Sequence, residues 1–110
     1  MRTIPIGKGV FHSSAIALGC MRICRIPLDD SKKLILRALD LGIDFFDHAD
    51  VYGFGKSEEI FGQILDLKGP IREKIKIQSK CTLIRDQVQT LYNDQSSEHI
   101  ISSVEASLKR

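Results

Sequence analysis

The chain has 110 residues, of which 43% are hydrophobic and 27% are charged, and this balance is typical of a folded globular domain. Its formal net charge is +2 and its 16 basic residues are scattered along the sequence, so we predict no binding face for nucleic acid or anionic lipid. The amino terminus lacks the apolar core of a signal peptide, and no apolar run approaches the ~18 residues that span a bilayer. We therefore expect a cytoplasmic protein with neither nucleic-acid nor membrane partners.

The three cysteines indicate neither a metal site nor a disulfide framework. Cys20, Cys24 and Cys81 are odd in number, and the first two are separated by three residues, not by the two of zinc knuckles and redox pairs. Reduced thiols are the ordinary state in the cytosol. A redox-sensing role for Cys81, which follows Lys80, is the weaker alternative.

The chain begins with a predicted β-hairpin, and three predicted strands follow. Residues 2–14 (RTIPIGKGVFHSS) form the hairpin, with its turn between Gly7 and Gly9. Three short segments rich in β-branched or aromatic residues are predicted as strands. They are 15–19 (AIALG), 43–47 (IDFFD) and 75–80 (IKIQSK).

Each strand is followed by a segment with helical periodicity. The three predicted helices are 29–42, 57–67 and 96–110. Their predicted amino-terminal caps are Asp29, Asp30 or Ser31, then Ser57, then Ser96 or Ser97. Gly42 is placed to end the first helix. The predicted buried positions are Leu34, Ala38 and Leu41 in the first helix, Ile60, Phe61, Ile64 and Leu65 in the second, and Ile100, Ile101, Val104 and Leu108 in the third.

The alternation of strand and helix favours parallel strands joined by helical crossovers. A repeat of about 30 residues is compatible with a (β/α) barrel or with an open doubly wound sheet. In residues 75–80 the two-residue period of a strand places the isoleucines on one face and Lys80 on the other. A barrel fits this pattern well, because helices would cover the isoleucines and Lys80 would point into the mouth.

The segment DHADVYGFGKSEE, residues 47–59, lies just beyond the carboxyl end of the second predicted strand, where α/β proteins carry their chemistry. Asp47, Tyr52 and Lys80 would meet there. A lysine ammonium stabilises a tyrosine phenolate, and an aspartate keeps the lysine charged, so the trio could act as a general acid with Tyr52 as the donor. The alternative is an ordinary loop with a surface ion pair. The glycines more readily make a turn than a phosphate cradle.

Several motifs in order resemble the aldo-keto reductase superfamily. They are GCMRI (19–23), LGIDFFDHADVYGFGKSEEIFG (41–62) and REKIKIQSK (72–80). The Asp-His-Ala-Asp sequence is most similar to that of bacterial oxidoreductases that carry it in place of the commoner Asp-Thr-Ala. The resemblance implies a TIM (β/α)8 barrel that binds NADPH and reduces the carbonyl groups of small aldehydes or ketones to alcohols.

The resemblance also implies roles for individual residues. Tyr52 would be the general acid, Lys80 would lower the pKa of this acid, and Asp47 would pair with Lys80. Cofactor-binding residues would be Asp47, Gly19, Cys20 and Met21, and no metal site is implied. The family's substrate-orienting histidine follows a fourth strand, and none of the three histidines matches it. A packing or hydrogen-bonding role is favoured for His48 over a catalytic one.

About three of the eight units of a barrel are present in this sequence. We expect one partial barrel over residues 1–110, with the hairpin in 1–14 and the first three β/α units in 15–110. Open strand edges predict self-association. We expect the chain to be the amino-terminal part of an NADPH-dependent reductase and to be inactive by itself. The alternative function is a non-catalytic binding or regulatory subunit resembling an aldo-keto reductase.

Overall fold

The computed structural model of the protein describes residues 1–65, 69–86, 88 and 91–110. The predicted end of the second helix, at 66–67, lies outside the described residues. None of the helices in the described ranges is long and apolar enough to cross a membrane.

The amino-terminal hairpin is confirmed. Strands β1 (Thr3–Ile6) and β2 (Phe11–Ser14) pair in antiparallel fashion. The connecting turn contains Gly7 and Gly9, whose φ angles are 64° and 79°. Glycine suits these positions because a side chain disfavours positive φ.

The predicted parallel strands form one sheet in the order β3-β4-β5. These strands span Ala17–Gly19, Phe45–Asp47 and Lys76–Gln78. The chain pairs each strand with the next in parallel, as βαβ units require. The fold class is therefore confirmed as parallel β/α units with an amino-terminal hairpin, and the described residues do not close into a barrel.

Helix α1 spans Leu28–Asp40 and follows a 3-10 turn at Ile23–Arg25. The predicted side-chain caps are wrong, because the capping position is Pro27, whose carbonyl oxygen accepts the amides of Asp30 and Ser31 at 3.0 Å each. The helix ends at Asp40, and Gly42 terminates it as predicted, with a φ of 81° and its amide donated to the carbonyl oxygen of Leu39 at 2.8 Å.

Helix α2 spans Lys56–Ile64, one residue earlier than predicted at its start. Ser57 does not cap it: the capping residue is Gly55, and the Ser57 side chain is fully buried in the first turn. Backbone carbonyl groups of the preceding loop replace the side-chain cap, since Gly53 accepts the Lys56 amide at 3.1 Å and Tyr52 accepts the Ser57 amide at 3.3 Å.

Four further elements follow in the described part of the chain. They are α3 (Ile71–Lys74), β6 (Leu83–Arg85), β7 (Leu91–Asn93) and α4 (Ser97–Lys109). Strands β6 and β7 form a second antiparallel hairpin, which the sequence pattern did not predict, and neither did it predict α3. The cap of α4 is confirmed, since the Ser96 hydroxyl accepts the amide of His99 at 3.3 Å.

The core lies between the parallel sheet and the helices. Its buried members are Cys20, Ile23, Ile35, Ala38, Phe46, Ile60, Phe61, Leu65 and Ile75. The predicted stripe of α2 is confirmed, with Ile64 half-buried against this core. Of the positions predicted for the first helix, Ala38 is buried, whereas Leu34 and Leu41 are exposed. The inward side of α1 carries Ser31 and Ile35 together with Ala38.

The predicted stripe of α4 is not buried. Ile100, Ile101, Val104 and Leu108 are 37%, 60%, 47% and 81% exposed. Within the described residues the parallel sheet ends at β5, so no further strand lies beyond it for α4 to cover. The apolar side of α4 is therefore open.

A half-buried polar network joins the amino-terminal ends of β4 and β5 to the hairpin. Asp44 accepts hydrogen bonds from the Ser13 hydroxyl at 2.9 Å, the Ser14 amide at 2.8 Å and the Lys76 ammonium at 2.6 Å. Burial alone would raise the pKa of Asp44, but the bonds from Lys76, Ser14 and Ser13 outweigh it and lower this pKa to about 2. The carboxylate thus joins the hairpin to β4 and β5.

We predict that Asp44→Asn lowers the free energy of unfolding near pH 7 by about 1–3 kcal/mol, because charge-assisted hydrogen bonds are lost. A carboxylate with a lowered folded-state pKa stabilises the fold above its ordinary pKa, so the difference should shrink as the pH falls from 3.8 towards about 2. Urea unfolding at several pH values measures it. Asp30→Asn, at an exposed pair with Lys33, is the control and should cost less than about 1 kcal/mol. An equal loss of unfolding free energy in Asp44→Asn and Asp30→Asn would contradict the stabilising role of the Asp44 carboxylate.

We also expect the 110-residue chain to self-associate, because the outer edges of β3 and β5 carry no partner strand among the described residues and the apolar side of α4 is exposed. Light scattering across a concentration series should give a mass that rises with concentration. Leu108→Lys should reduce this rise by adding charge to the open side of α4. A monomer mass at every concentration would refute the expectation.

Candidate active site

The carboxyl ends of the three parallel strands lie at one level. Gly19 of β3 is the register partner of Asp47 of β4, which in turn is the partner of Gln78 of β5. Lys80 lies two residues beyond Gln78, and its carbonyl oxygen accepts the Asp50 amide at 3.0 Å. The backbone pairing thus continues past the strands and holds the polar loop against the next strand end.

The structure brings the three predicted residues of the acid assembly together. The Lys80 ammonium donates to Asp47 Oδ1 at 2.7 Å and to the carbonyl oxygen of His48 at 2.6 Å. The same ammonium lies 5.2 Å from the centre of the Tyr52 ring, within the range of cation–π attraction. Gln78 Nε2 also donates to Asp47 Oδ1 at 2.7 Å. Asp47 therefore accepts two hydrogen bonds on one oxygen and is held between two strand-end residues.

The surroundings keep Lys80 positively charged. Burial by itself would lower the pKa of Lys80, but the hydrogen bond and charge of Asp47, followed by the interaction with Tyr52, outweigh burial and raise this pKa. The lysine is accordingly an ammonium near neutral pH, and the adjacent tyrosine oxygen experiences its charge.

A left-handed turn carries the chain from the strand end into α2. Gly53, Phe54 and Gly55 have φ angles of 60°, 55° and 84° in succession. A side chain on Gly53 would also meet Cys24 Sγ, because a Cβ built there lies 2.6 Å from that sulfur. Phe54 alone bears the strain of a non-glycine residue at positive φ, and its side chain is 62% exposed. Tyr52 lies directly before this turn, and its carbonyl oxygen accepts the Ser57 amide in the first turn of α2.

The predicted cofactor residues at the end of β3 differ in accessibility. A Cβ built on Gly19 meets nothing within 4 Å, so the space over this strand end is open. Met21 is 45% exposed, whereas Cys20 is fully buried in the core. Burial, followed by the charge of Asp47, raises the pKa of the Cys20 thiol to about 12. The Cys20 side chain is thus a neutral core group, and only Gly19 and Met21 face open space.

Comparison with known proteins matches this arrangement to a family. The sequence profile of the Aldo/keto reductase family matches residues 15–110. The chain belongs to this family. Its fold of parallel β/α units is shared by the crystal structure of a protein named "putative aldo-keto reductase" from Pseudomonas aeruginosa, which superposes with a TM-score of 0.84 at 33% identity over 97% of this chain and 41% of the other.

Two curated relatives are similar to this chain over nearly its whole length. The uncharacterized oxidoreductase YcsN of Bacillus subtilis is 39% identical over 115 residues, which cover 98% of this chain and 38% of the relative. The 6-dehydroglucose reductase of Novosphingobium aromaticivorans is 34% identical over 114 residues, which cover 96% of this chain and 36% of the relative. The chain therefore spans well under half the length of these two relatives.

His48 of this aldo-keto reductase chain is a packed core residue. It is 1% exposed, and its ring meets that of Phe61 edge-on with 4.7 Å between the ring centres. Neither ring nitrogen has a hydrogen-bond partner among the described residues. Burial, only partly offset by Glu58 and Asp47, lowers the pKa of His48 to about 4. The neutral ring faces α2, so the packing role is the one its surroundings support.

The other two histidines lie on β2 and α4. His12 is an exposed residue of β2. His99 lies on α4, where its Nε2 is 2.6 Å from the carbonyl oxygen of Cys81. That none of the three histidines is the family's substrate-orienting histidine stays a prediction.

Two polar residues behind the site, Glu58 and Ser79, were missed by sequence reasoning. Glu58 is 8% exposed, although a charged residue in the first turn of a helix is ordinarily solvated. Its Oε1 accepts the Ser79 hydroxyl at 2.6 Å, directly beside Lys80. The signal was present in the spacing, because Glu58 shares a helical stripe with the buried residues Phe61 and Leu65 at i, i+3 and i+7.

We predict that His48 makes folding stability fall with acidity between pH 6.5 and about 4. A histidine whose folded-state pKa is lowered binds a proton more readily when unfolded, so acid favours unfolding, by a total on the order of 3 kcal/mol. His48→Phe, which keeps an aromatic ring against Phe61, should remove most of this slope. Urea unfolding at successive pH values checks it, with His12→Phe as a control for replacing an exposed histidine. Identical slopes in wild type and His48→Phe would contradict the prediction.

Proposed function

We propose that this chain is the amino-terminal part of an NADPH-dependent oxidoreductase that reduces small aldehydes or ketones to alcohols. The observation that carries the proposal is the contact of the Lys80 ammonium with Asp47 at 2.7 Å and its position 5.2 Å from the Tyr52 ring centre. A charged lysine beside a tyrosine, itself fixed by a carboxylate, is an arrangement suited to proton donation.

Each residue of the trio has one role in this proposal. Tyr52 donates its phenolic proton to the carbonyl oxygen of the substrate as that oxygen gains negative charge. Lys80 stabilises the phenolate that remains, because its ammonium lies beside the ring. Asp47 holds Lys80 in place and keeps it protonated. When bound, NADPH supplies the hydride that the carbonyl carbon receives.

The strand ends offer a fitting place for the cofactor's nicotinamide half. The open space over Gly19 and the exposed side chain of Met21 border the strand level at which Asp47 lies. These two residues and Asp47 would hold the nicotinamide end, with Cys20 contributing only backbone because its side chain is buried. The resemblance to aldo-keto reductases implies that the cofactor phosphates bind farther along the barrel. We expect the cytoplasm as the compartment.

The proposal predicts that Tyr52→Phe, in the protein that carries this chain together with the rest of the barrel, lowers kcat for carbonyl reduction by about 10²–10⁴-fold, because only the proton donor is removed. NADPH affinity, followed by fluorescence titration, should change by less than about threefold, on the order of 0.6 kcal/mol.

Tyr92→Phe is the matched control, since Tyr92 is the second tyrosine of the chain and lies on β7, 49% exposed. It should retain wild-type turnover. Equal turnover in wild type and Tyr52→Phe would contradict the role of Tyr52. NADPH binding without turnover in the wild type would favour the alternative of a non-catalytic regulatory subunit.

A further inference from the structure

The residue before Lys80 is anchored in the helix layer. Ser79 lies between β5 and Lys80, and its hydroxyl donates to Glu58 Oε1 at 2.6 Å. Lys80 itself contacts Asp47 and the carbonyl oxygen of His48. Consecutive side chains of an extended segment point to opposite sides, so a hydroxyl held on the helix side directs the following ammonium towards the strand-end loop.

The anchor itself is rigidly held. Glu58 is 8% exposed, and besides Ser79 it accepts hydrogen bonds from the Ser107 hydroxyl, at 3.1 Å to each carboxylate oxygen, and from Arg110 Nη1 at 2.6 Å. A buried carboxylate satisfied in this way has one preferred orientation. Glu58 thereby connects α2 and α4 to the segment that carries Lys80.

The residue after Lys80 is held as well. The carbonyl oxygen of Cys81 lies 2.6 Å from His99 Nε2, a distance at which the ring N–H donates to it, and the Ser103 hydroxyl lies 3.3 Å from the same nitrogen. Lys80 is thus flanked by two side-chain anchors, one from α2 through Ser79 and one from α4 through Cys81. Between them, the Lys80 carbonyl oxygen accepts the Asp50 amide.

We propose that Ser79, through its hydrogen bond to Glu58, is a positioning residue that sets the location of the Lys80 ammonium beside Asp47 and Tyr52. This inference rests on the proposed function for its consequence in catalysis. Ser79 takes no part in the chemistry. Its loss lets the 79–81 segment shift, and a displaced ammonium stabilises the developing phenolate less well, whereas substrate binding is little affected.

The test compares three variants of the protein that carries this chain with the rest of the barrel. Ser79→Ala should lower kcat roughly tenfold, as expected for misplacement of one charged group, with KM changed less than about twofold. Ser79→Thr retains the hydroxyl and should restore most of the rate. Ser107→Ala removes a hydroxyl from the same carboxylate without touching the Lys80 segment, and should leave kcat unchanged.

Two further measurements separate positioning from general loosening and from failure of the proposed function. In a Lys80→Met background Ser79→Ala should cause no additional loss of kcat, because the group that it positions is absent. Amide hydrogen exchange at Asp50, whose N–H donates to Lys80, should be at least severalfold faster in Ser79→Ala and unchanged in Ser107→Ala.

Unchanged exchange at Asp50 in Ser79→Ala, or an equal loss of kcat in Ser79→Ala and Ser107→Ala, would overturn the positioning role. So would a loss of kcat that Ser79→Ala causes equally with and without Lys80. If Lys80→Met retains full turnover while exchange at Asp50 still accelerates in Ser79→Ala, the proposed function fails and the positioning of Lys80 by Ser79 stands.

Discussion

The register of the three parallel strands is the constraint on which the site depends. Because Gly19, Asp47 and Gln78 are paired at one level, the loops that follow them begin side by side, and Lys80 reaches Asp47 across a sequence separation of 33 residues. A slip of one residue in β5 would turn Lys80 towards the helices. The Asp44 network at the opposite end of the same strands, with Ser13, Ser14 and Lys76, opposes such a slip.

Helix α2 fixes both strand ends that carry polar side chains. Phe61 packs against His48, the residue after Asp47, and Glu58 binds Ser79, the residue before Lys80. The two contacts lie one helical turn apart on the same helix. At each strand end one residue, His48 or Ser79, contacts α2, and the residue next to it belongs to the site. The position of α2 therefore governs the distance between the Asp47 carboxylate and the Lys80 ammonium.

The sequence pattern predicted the order of the parallel strands and their helices, the first hairpin and the meeting of Asp47, Tyr52 and Lys80. Each of these depends on local periodicity or on the end of a parallel strand. The starts of α1 and α2 were not predictable, since backbone carbonyl groups replaced the expected side-chain caps, for example at Ser57, whereas the Ser96 cap of α4 was. The exposure of Leu108 depends on what lies beside β5, which helical periodicity does not report. The burial of Glu58 requires partners far away in sequence, among them Arg110, and a charged residue in a first turn is ordinarily read as solvated.

The central claim is that the strand-end site reduces a carbonyl group, and transfer of a label tests it most directly. The protein that carries this chain with the rest of the barrel would be incubated with NADPH deuterated at C4 of the nicotinamide and with a panel of aldehydes and ketones. Mass spectrometry would then locate the label in the product. Our account predicts an alcohol with one deuterium on the former carbonyl carbon. NADPH binding without any labelled alcohol from the panel would contradict it.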